Sequence, residues 1–387
     1  MNITASFQTA NRILLREGIL NDLGEHLDMF DDVKQVLIVT ADFMKDLDFM
    51  KSLENQLTKK DITYNIFDKV EAEPTIDHIT SVTKELDNVN YDLIIGIGGG
   101  SVLDVTKLLS VLMKGNVELK NLVEGEKIKS KGIPMVLIPT TAGTGSEVTP
   151  NAIVTLPKEE LKVGVVSSYL LPDLVLLDPN LTISLPPHIT AATGMDAFTH
   201  SFESYISNKA NPLSDMFAME SMRLISKSIL KAYHNGGDIE ARKDMLLAST
   251  YGGMALTSAG TAAVHALAYP LGGKFNISHG EANSMLLPHV TRENLDTIEE
   301  RMSVIAREIG LTNDRNIEQA EAAQLLIDEM VNWTKELNIP QDLRKFGVTD
   351  DDVHTLATAA SKVKRLMDNN PKVLSIDVIE SIYKKML

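Results

Sequence analysis

One carboxylate and three imidazoles are the most chemically suggestive side chains in this 387-residue sequence, which contains no cysteine. Asp196 and His200 are four residues apart, so on a helix they would share one face. His265 and His279 follow, on either side of a Gly272-Gly273 pair where we expect a turn. These four side chains together predict a tetrahedral site for a divalent metal. The alternatives are a solvated Asp/His pair on a helix surface and two buried structural histidines.

Two turns rich in glycine and hydroxyl side chains each follow an apolar run typical of a strand. The sequence GGGS at 98–101 follows the run 92–97, and the segment 139–147 follows the run 135–138. A glycine-rich turn that opens a helix offers backbone N–H groups and the positive end of the helix dipole to a phosphate. Ser101 replaces the third glycine of the dinucleotide-binding fingerprint, and no P-loop lysine follows. The two turns together predict a nucleotide site, and two ordinary polar loops are the alternative.

The first half of the chain has the pattern of an α/β domain. Helical patterns at 45–60 and 75–88 alternate with β-branched runs at 35–40, 63–67, 92–97, 135–138 and 174–177. This order predicts a doubly wound, Rossmann-like domain over 1–184 with a mostly parallel sheet. A β-hairpin formed by 153–156 and 161–166 is expected to be attached to that sheet.

The second half of the chain has a different periodicity. After residue 185, apolar residues recur with helical spacing at 215–232, 240–256 and 320–337. We therefore predict an all-α domain over 185–387.

Bulk composition excludes several classes of partner. The net charge of −16 argues against nucleic acids and anionic membranes, both of which attract clustered lysine and arginine. No run of 18 apolar residues predicts a transmembrane helix, and the first residues lack the pattern of a signal peptide. The absence of cysteine excludes disulfides, thiolate catalysis and thiolate metal ligands. We predict a cytoplasmic protein with small-molecule partners, no nucleic acid and no membrane.

Five segments resemble the iron-containing (group III) alcohol dehydrogenase family, which includes lactaldehyde reductase and 1,3-propanediol dehydrogenase. They are GIGGGSVLDVTK (96–107), PTTAGTGSEVT (139–149), LPDLVLLDPNLT (171–182), ATGMDAFTHSFESYIS (192–207) and HALAYPLGGKFNISHGEANSMLLPHV (265–290). The resemblance implies a dehydroquinate synthase-like fold. It also implies hydride transfer between NAD or NADP and a small alcohol, aldehyde or ketone at one divalent metal, Fe²⁺ in the first place and Zn²⁺ in the second.

Three other functions are weighed against this interpretation. Glycerol dehydrogenase-like polyol oxidation and a dehydroquinate synthase-like lyase would use a related fold, but the five segments match the alcohol dehydrogenase pattern. A nucleotide-binding sensor without activity would require a broken site, and no ligand position is broken. We expect a homodimer or a larger homo-oligomer, as is common for soluble enzymes.

Carried over to matching positions, the resemblance implies a role for each candidate residue. The metal ligands would be Asp196, His200, His265 and His279. The pyrophosphate would be held by Gly98, Gly99 and Ser101, the adenosine side lined by Thr140, Thr141 and Thr144, and the ribose reached by Lys162. Asp104 would lie near the nicotinamide, where it is a catalytic candidate. The alternative for Asp104 and Lys107 is a solvated pair on a helix.

The chain departs from the family at two positions. Members usually carry a histidine four residues after the third metal ligand, often taken as part of the proton path, and Tyr269 stands there. Tyr269 would either substitute through its hydroxyl or only shape the pocket. Many NAD-preferring members have an aspartate directly after Thr40, where it would bind the ribose 2′-hydroxyl. Ala41 stands there and Asp42 follows, so both NAD and NADP remain open.

Three further residues are candidates for substrate binding. Lys274 lies between the third and fourth metal ligands, and Arg365 and Asn370 lie in a segment that family members fold toward the active site. These groups could receive a carboxylate, sulfonate or phosphonate on an aldehyde. Ordinary surface positions are the alternative.

Overall fold

The computed structural model describes residues 5–115, 117–159, 161–314 and 316–387. These residues form two compact units. The first, which we call the sheet unit, comprises Gln8–Thr141 and Gly145–Ser184. The second, which we call the helical unit, comprises the segment ending at Phe7, Ala142–Thr144 and Leu185–Leu387. The cofactor and metal roles predicted for 1–184 and 185–387 stay predictions.

A parallel sheet forms the centre of the sheet unit. The described strands of this unit are β1 (Arg12–Leu15), β2 (Gln35–Val39), β3 (Thr63–Phe67), β4 (Leu93–Gly98), β5 (Met135–Pro139), β6 (Asn151–Leu156), β7 (Leu161–Val166) and β8 (Leu174–Leu177). The sheet has the order β1-β8-β5-β4-β2-β3, and all its described pairings are parallel. The predicted doubly wound α/β fold is therefore confirmed. Strand β1 was missed because it lies at the edge of the sheet with no fully buried residue, and it lacks the continuous apolar run of the inner strands.

Helices cover both faces of this sheet. They are α1 (Leu23–His26), α2 (Asp48–Lys59), α3 (Ile76–Leu86), α4 (Gly100–Leu112) and α5 (Leu119–Val123). Within β2, Leu37 and Val39 pack into a core with α3 and α4, whereas Val36 and Ile38 pack into a second core with α1 and α2. Because both faces are buried, the strands are almost continuously apolar.

The β6–β7 hairpin forms its own two-stranded antiparallel sheet. The prediction that it is attached to the parallel sheet is wrong. Its inward side chains Ala152, Val154 and Val165 instead join the core that α3 and α4 share. Side-chain packing therefore anchors the hairpin, and alternating apolar residues predict such packing as readily as strand pairing. Glu160, in the predicted hairpin turn, lies outside the described residues.

Lys107 on α4 is completely buried and fixes the chain between β5 and β6. Its Nζ donates to the carbonyl oxygens of Ser146 at 2.7 Å and Thr149 at 3.2 Å, and also to that of Asn151. Burial lowers the pKa of Lys107, and the nearby carboxylates, that of Asp104 among them, oppose this shift. The buried ammonium thus supplies the hydrogen bonds that these carbonyls would otherwise lack.

Asp104, one turn before Lys107, also binds the chain between β5 and β6. Its carboxylate accepts from the Ser146 hydroxyl at 2.5 Å and from the backbone N–H of Ile153 at 2.9 Å. The Lys107 Nζ lies 3.5 Å from the Asp104 carboxylate. A solvated pair is therefore the wrong interpretation of these two residues, because helix spacing cannot indicate how deeply a face is buried.

The helical unit consists of helices of 4 to 30 residues joined by turns and loops. The helices are α6 (Pro187–Ile206), α7 (Pro212–His234), α8 (Ile239–Ala259), α9 (Ala263–Phe275), α10 (His279–Glu308), α11 (Gln319–Glu336), α12 (Val353–Ser361), α13 (Lys364–Met367) and α14 (Ile376–Lys384). The predicted all-α character of this half is confirmed. Among the described residues, no helix is both long and apolar enough to cross a bilayer.

The turn predicted at Gly272-Gly273 is wrong. Both glycines lie inside α9, and the chain turns at Asn276, whose φ of 54° is left-handed. Asparagine tolerates this conformation better than most residues. Glycine permits a turn without requiring one, and here the neighbouring Leu271 is buried within the helix.

The crossing of α6 and α10 depends on Gly280. A Cβ atom at Gly280 would lie 2.3 Å from the carbonyl oxygen of Ala192 and 2.7 Å from its carbonyl carbon. Backbone atoms cannot move aside as a flexible side chain can. We expect Gly280→Ala to lower the free energy of unfolding by about 1–3 kcal/mol, as overpacking does. Urea titration measures the change.

Gly24→Ala provides the matched control for Gly280→Ala. Gly24 also lies in a helix, but an added Cβ would meet only side-chain atoms at 3.6 Å or more. Stability should stay the same or rise slightly, because alanine favours helices. Equal stability of the Gly280→Ala variant and the parent would contradict the close helix crossing.

Lys107→Met should leave the three carbonyl oxygens without their shared donor. Because removing one partner of a buried charged network costs about 3–5 kcal/mol, we expect a loss of that size in unfolding free energy. Lys120→Met is the control, since this lysine is exposed on α5 and should change stability by under about 0.5 kcal/mol. A similar small change for both variants would show that the Lys107 contacts contribute little.

Candidate metal centre and cofactor turns

Three helices of the helical unit bring together the four predicted metal ligands. Asp196 and His200 lie one turn apart on α6, His265 lies in the first turn of α9, and His279 begins α10. One ligand atom of each lies within 4.8 Å of the others. The Asp196 Oδ1 is 3.9 Å from the Nε2 atoms of His200 and His265 and 3.7 Å from that of His279.

This arrangement fits a divalent cation. Metal–ligand distances of about 2.1 Å in a tetrahedron separate the ligands by about 3.4 Å, which is slightly less than the 3.7–3.9 Å observed to Asp196. Burial alone would raise the pKa of Asp196, but the nearby histidines and a hydrogen bond from Asn283 outweigh it and hold that pKa below its usual value. Burial lowers the pKa of His200. An ionised carboxylate and a neutral imidazole are the forms that bind metals.

Each of two ligand imidazoles has a second hydrogen bond on its Nδ1 side. The Nδ1 of His265 lies 2.6 Å from the Glu203 carboxylate, and the Nδ1 of His200 lies 3.3 Å from the carbonyl oxygen of Gly143. Both partners are acceptors, so each Nδ1 carries the hydrogen. Second hydrogen bonds of this kind are typical of metal-binding histidines because they orient the ring.

Glu203 was missed by the sequence reasoning. It lies seven residues after Asp196 and three after His200, so all three share one face of α6. That spacing is the available signal. A carboxylate on the ligand face of a helix is a candidate second partner for a ligand histidine.

Asn283 was also missed, although it follows His279 by one helical turn. Its side-chain Nδ2 lies 2.8 Å from Asp196 Oδ1, 3.2 Å from His265 Nε2 and 3.1 Å from His279 Nε2. Its Oδ1 is buried without a hydrogen-bond partner. This buried amide therefore lies directly against three of the four ligands, in a polar cluster suited to a cation.

Gly143 allows its loop to lie against α6. A Cβ atom at Gly143 would be 2.6 Å from Thr193 Cβ and 3.0 Å from the Thr193 carbonyl oxygen. The short Ala142–Thr144 segment contains the predicted adenosine-side residue Thr144 and belongs to the helical unit. Close packing at Gly143 places its carbonyl oxygen at His200.

The first two glycines of the predicted phosphate turn lie where strand β4 meets helix α4. Gly98 ends β4, and Gly99 precedes the first residue of α4. A Cβ at Gly98 would lie 2.7 Å from Val102, so this tight turn requires a glycine. Thr140 donates its backbone N–H to the Gly98 carbonyl at 3.0 Å, and a Cβ at Gly99 would meet Thr141 at 3.3 Å. The structure therefore brings the two predicted turns together within the sheet unit.

The remaining cofactor candidates have partners within the sheet unit. The Ser101 hydroxyl accepts from the backbone N–H of Glu73 at 3.2 Å, and Lys162 Nζ donates to the Glu73 carboxylate at 2.6 Å. Ala41 pairs with Lys69 in an isolated bridge, and the Asp42 carboxylate accepts from Lys45. The cofactor roles of these residues stay predictions, as does the catalytic role of Asp104. The Asp104 contacts favour a role in positioning the chain around Ser146.

Tyr269 lies beside the metal ligands, one helical turn after His265. Its ring centroid is 6.1 Å from that of His279. Burial raises the pKa of Tyr269, and the Arg365 guanidinium at its hydroxyl opposes that shift. The hydroxyl is therefore protonated at neutral pH. Its part in proton transfer stays a prediction.

The three predicted substrate residues differ in whether their side chains are already paired or buried within the protein. Lys274 lies in the last turn of α9 and forms an ion pair of 2.7 Å with Asp352. Asn370 is buried and exchanges two side-chain hydrogen bonds with Asn294. Arg365 is exposed and lies at the Tyr269 hydroxyl. The geometry favours Arg365 as the substrate contact and structural roles for the other two.

Two family models match most of the chain. Residues 10–179 match the model described as iron-containing alcohol dehydrogenase. Residues 190–387 match the model described as Fe-containing alcohol dehydrogenase family, C-terminal. The long-chain-alcohol dehydrogenase 1 of Geobacillus thermodenitrificans is 38% identical over 354 residues, which cover 91% of this chain and 89% of that protein.

Solved structures are similar over nearly the whole chain. A 1,3-propanediol oxidoreductase has a TM-score of 0.94 at 32% identity, with 99% of this chain and 100% of that chain covered. The sulfoacetaldehyde reductase from Bifidobacterium kashiwanohense in complex with NAD⁺ has a TM-score of 0.88 at 25% identity, with 100% and 99% covered. The predicted reaction class, NAD(P)-dependent oxidoreduction of alcohols and aldehydes, is confirmed at the level of the family. The chain belongs to the iron-containing alcohol dehydrogenase family.

Proposed function

We propose that this chain transfers hydride between NAD(P) and a small alcohol or aldehyde at a divalent cation bound by Asp196, His200, His265 and His279. The observation that carries the proposal is the convergence of these ligand atoms within 4.8 Å of one another. Three imidazole nitrogens and one carboxylate oxygen suit Fe²⁺ and also Zn²⁺. When bound, the cation would polarise the substrate oxygen as a Lewis acid, and the nicotinamide would carry the hydride.

The protein's own contribution is to orient the ligand side chains and to set the net charge of the metal site. Asp196 supplies one negative charge, and the neutral imidazoles supply none, so a dication would keep a net charge near +1. That charge favours a developing alkoxide. The Nδ1 contacts to Glu203 and Gly143 hold the rings of His265 and His200. Prepared ligands of this kind need little rearrangement during the reaction.

The cofactor end of the proposal uses the two predicted turns, of which residues 98–101 and 139–141 belong to the sheet unit. Backbone N–H groups of Gly99 and Ser101, at the beginning of α4, would bind the pyrophosphate with help from the helix dipole. Thr140, Thr141 and Thr144 would line the adenosine side. Lys162 would contact the ribose from its position beside Glu73.

We also propose that the aldehyde carries an acidic group, which Arg365 would bind. The observation that favours this narrower substrate class is Arg365, an exposed residue whose charge acts on Tyr269, and the ring of Tyr269 is close to that of His279. Arginine binds carboxylate and sulfonate groups through paired hydrogen bonds. One relative of known structure is a sulfoacetaldehyde reductase, and this supports an anionic substrate.

The assembly and location of the protein are further proposals. We propose a homodimer or larger homo-oligomer, because most soluble oligomeric enzymes form closed symmetric assemblies. Light scattering of the purified protein gives the molecular mass that decides this. The cytoplasmic location stays a prediction.

His200→Ala should abolish metal binding and most turnover while NAD(P) binding persists, because the predicted phosphate turn at 98–101 belongs to the sheet unit. The loss of metal affinity should exceed the ~10–100-fold typical of outer contacts, since a direct ligand is removed. Elemental analysis, cofactor fluorescence titration and aldehyde-dependent NAD(P)H oxidation measure the three properties.

His188→Ala is the matched control for His200→Ala. His188 lies on the same helix, α6, but is exposed. Metal content and turnover should match those of the parent chain. A His200→Ala protein that is free of metal and fully active would exclude the proposed centre.

Arg365→Ala should lower kcat/KM for an acidic aldehyde by about 10–100-fold, the effect of losing a hydrogen bond to a charged group. The value for a neutral aldehyde of similar length should change less than about threefold. Lys274→Ala is the control, because its ammonium is already paired with Asp352. Equal losses on both aldehydes in the Arg365→Ala variant would remove the acidic-substrate proposal.

A further inference from the structure

Glu203 binds three hydrogen-bond donors that belong to the beginning of α9. One carboxylate oxygen, Oε2, accepts from the backbone N–H of Ala262 at 2.9 Å and lies 2.6 Å from Nδ1 of His265. The other oxygen, Oε1, accepts from the backbone N–H of Val264 at 2.6 Å. Glu203 itself lies on α6 and is almost completely buried. A single carboxylate therefore joins the two helices that carry three of the four candidate ligands.

This contact replaces the missing cap of α9. Ala262, just before the helix, has no side chain that could bind the first N–H groups. These groups lack partners within any helix and carry the positive end of its dipole. The Glu203 carboxylate oxygens accept from the N–H groups of Ala262 and Val264 and so take the place of a cap. The position of this carboxylate is consequently fixed by the backbone of α9.

The fixed carboxylate determines which nitrogen of His265 carries the hydrogen. Both Glu203 oxygens already accept from backbone N–H groups, and Oε2 lies 2.6 Å from Nδ1 of His265, so the hydrogen between these two atoms is assigned to Nδ1. The neutral ring then has a lone pair on Nε2, which lies 3.2 Å from the Asn283 side-chain Nδ2 and 3.9 Å from Asp196 Oδ1. The opposite tautomer would place a hydrogen between Nε2 and any cation.

We propose that Glu203 is a positioning residue that holds His265 in its Nδ1–H tautomer and so prepares Nε2 as a metal ligand. The part of this inference that concerns metal affinity rests on the proposed metal centre. The part that concerns the tautomer does not, because it follows from contacts within the protein.

Two substitutions separate this role from simple capping. In Glu203→Gln, the amide oxygen can stay at the Oε2 position and keep Ala262 and His265 as donors, while the amide NH₂ opposes the N–H of Val264. The reverse orientation of the glutamine amide is disfavoured, because its NH₂ group would then face two donors, the N–H of Ala262 and Nδ1 of His265. In Glu203→Met, a side chain of similar length removes both acceptors. Both variants should therefore weaken the start of α9, but only Glu203→Met frees the His265 ring.

The tautomer is read from long-range ¹H–¹⁵N spectra of metal-free, histidine-labelled protein, with His265→Gln identifying the signal. We expect Nδ1–H alone in the parent and in Glu203→Gln. In Glu203→Met we expect a mixture in which Nε2–H appears, because the Glu203 acceptor is lost while the Asn283 amide still lies 3.2 Å from Nε2. An Nε2–H tautomer in the parent protein overturns the inference. This measurement on the parent holds even if a variant fails to fold.

Zn²⁺ affinity, measured by competition with a chelator, tests the consequence for the metal. We expect Glu203→Met to weaken binding by about 10–100-fold, as loss of an outer hydrogen bond to a ligand histidine does. Glu203→Gln should retain most of the affinity despite a lower melting temperature. Equal affinity losses in both variants would instead support a purely structural role and overturn the proposal.

Asp178→Leu is the matched control. Its buried carboxylate also accepts from backbone N–H groups, those of Gly18, Leu20 and Asn180, but it contacts no histidine and lies in the sheet unit. This variant should lose stability with Zn²⁺ affinity unchanged. A parent protein that binds no Zn²⁺ or Fe²⁺ would refute the proposed function, whereas the tautomer measurement would still decide the role of Glu203.

Discussion

The close crossing of α6 and α10 is the constraint on which the candidate metal centre depends. Gly280 lets α10 approach the backbone of α6 at Ala192, where a Cβ would come within 2.3 Å of the carbonyl oxygen. Asp196 lies one turn further along α6, and His279 lies immediately before Gly280. Because a ligand set tolerates errors of only a few tenths of an ångström, a wider crossing would separate this carboxylate from its imidazole. Backbone packing thus fixes the distance between Asp196 and His279, which side-chain rotation alone could not do.

Periodic spacing in the sequence predicted which residues share a helix face. It did not predict the contacts between residues that are far apart in the chain. Spacing of four residues was enough to pair Asp196 with His200, because a helix converts that spacing into a shared face. Glu203 was missed because its partners lie about 60 residues away, at the beginning of another helix. The turn at Gly272-Gly273 was wrong since glycine allows several conformations and burial chooses among them. The four candidate ligands could be chosen from residue types and spacing, whereas the groups that orient their side chains became visible only in the tertiary structure.

Two buried charges stabilise the chain where regular hydrogen bonding ends. Lys107 donates to carbonyl oxygens between β5 and β6, and Glu203 accepts from the N–H groups that begin α9. An isolated buried charge is unfavourable, but each of these two side chains supplies several hydrogen bonds that backbone groups would otherwise lack. Each charge also has a neighbour in a candidate site, Ser146 for Lys107 and His265 for Glu203. The positions of these sites are therefore linked to the stability of the fold.

The arrangement of the candidate ligand cluster permits a change of substrate between family members more easily than a change of reaction. The ligand histidines are held by contacts deep within the helical unit, so a changed ligand also disturbs helix packing. Tyr269 and Arg365 meet at the edge of that cluster, and Arg365 lies on the exposed short helix α13. A substitution there changes the charge offered to a substrate without altering a buried hydrogen bond of a ligand. The neutral hydroxyl of Tyr269 and the positive charge of Arg365 together set the chemical character of this edge of the cluster.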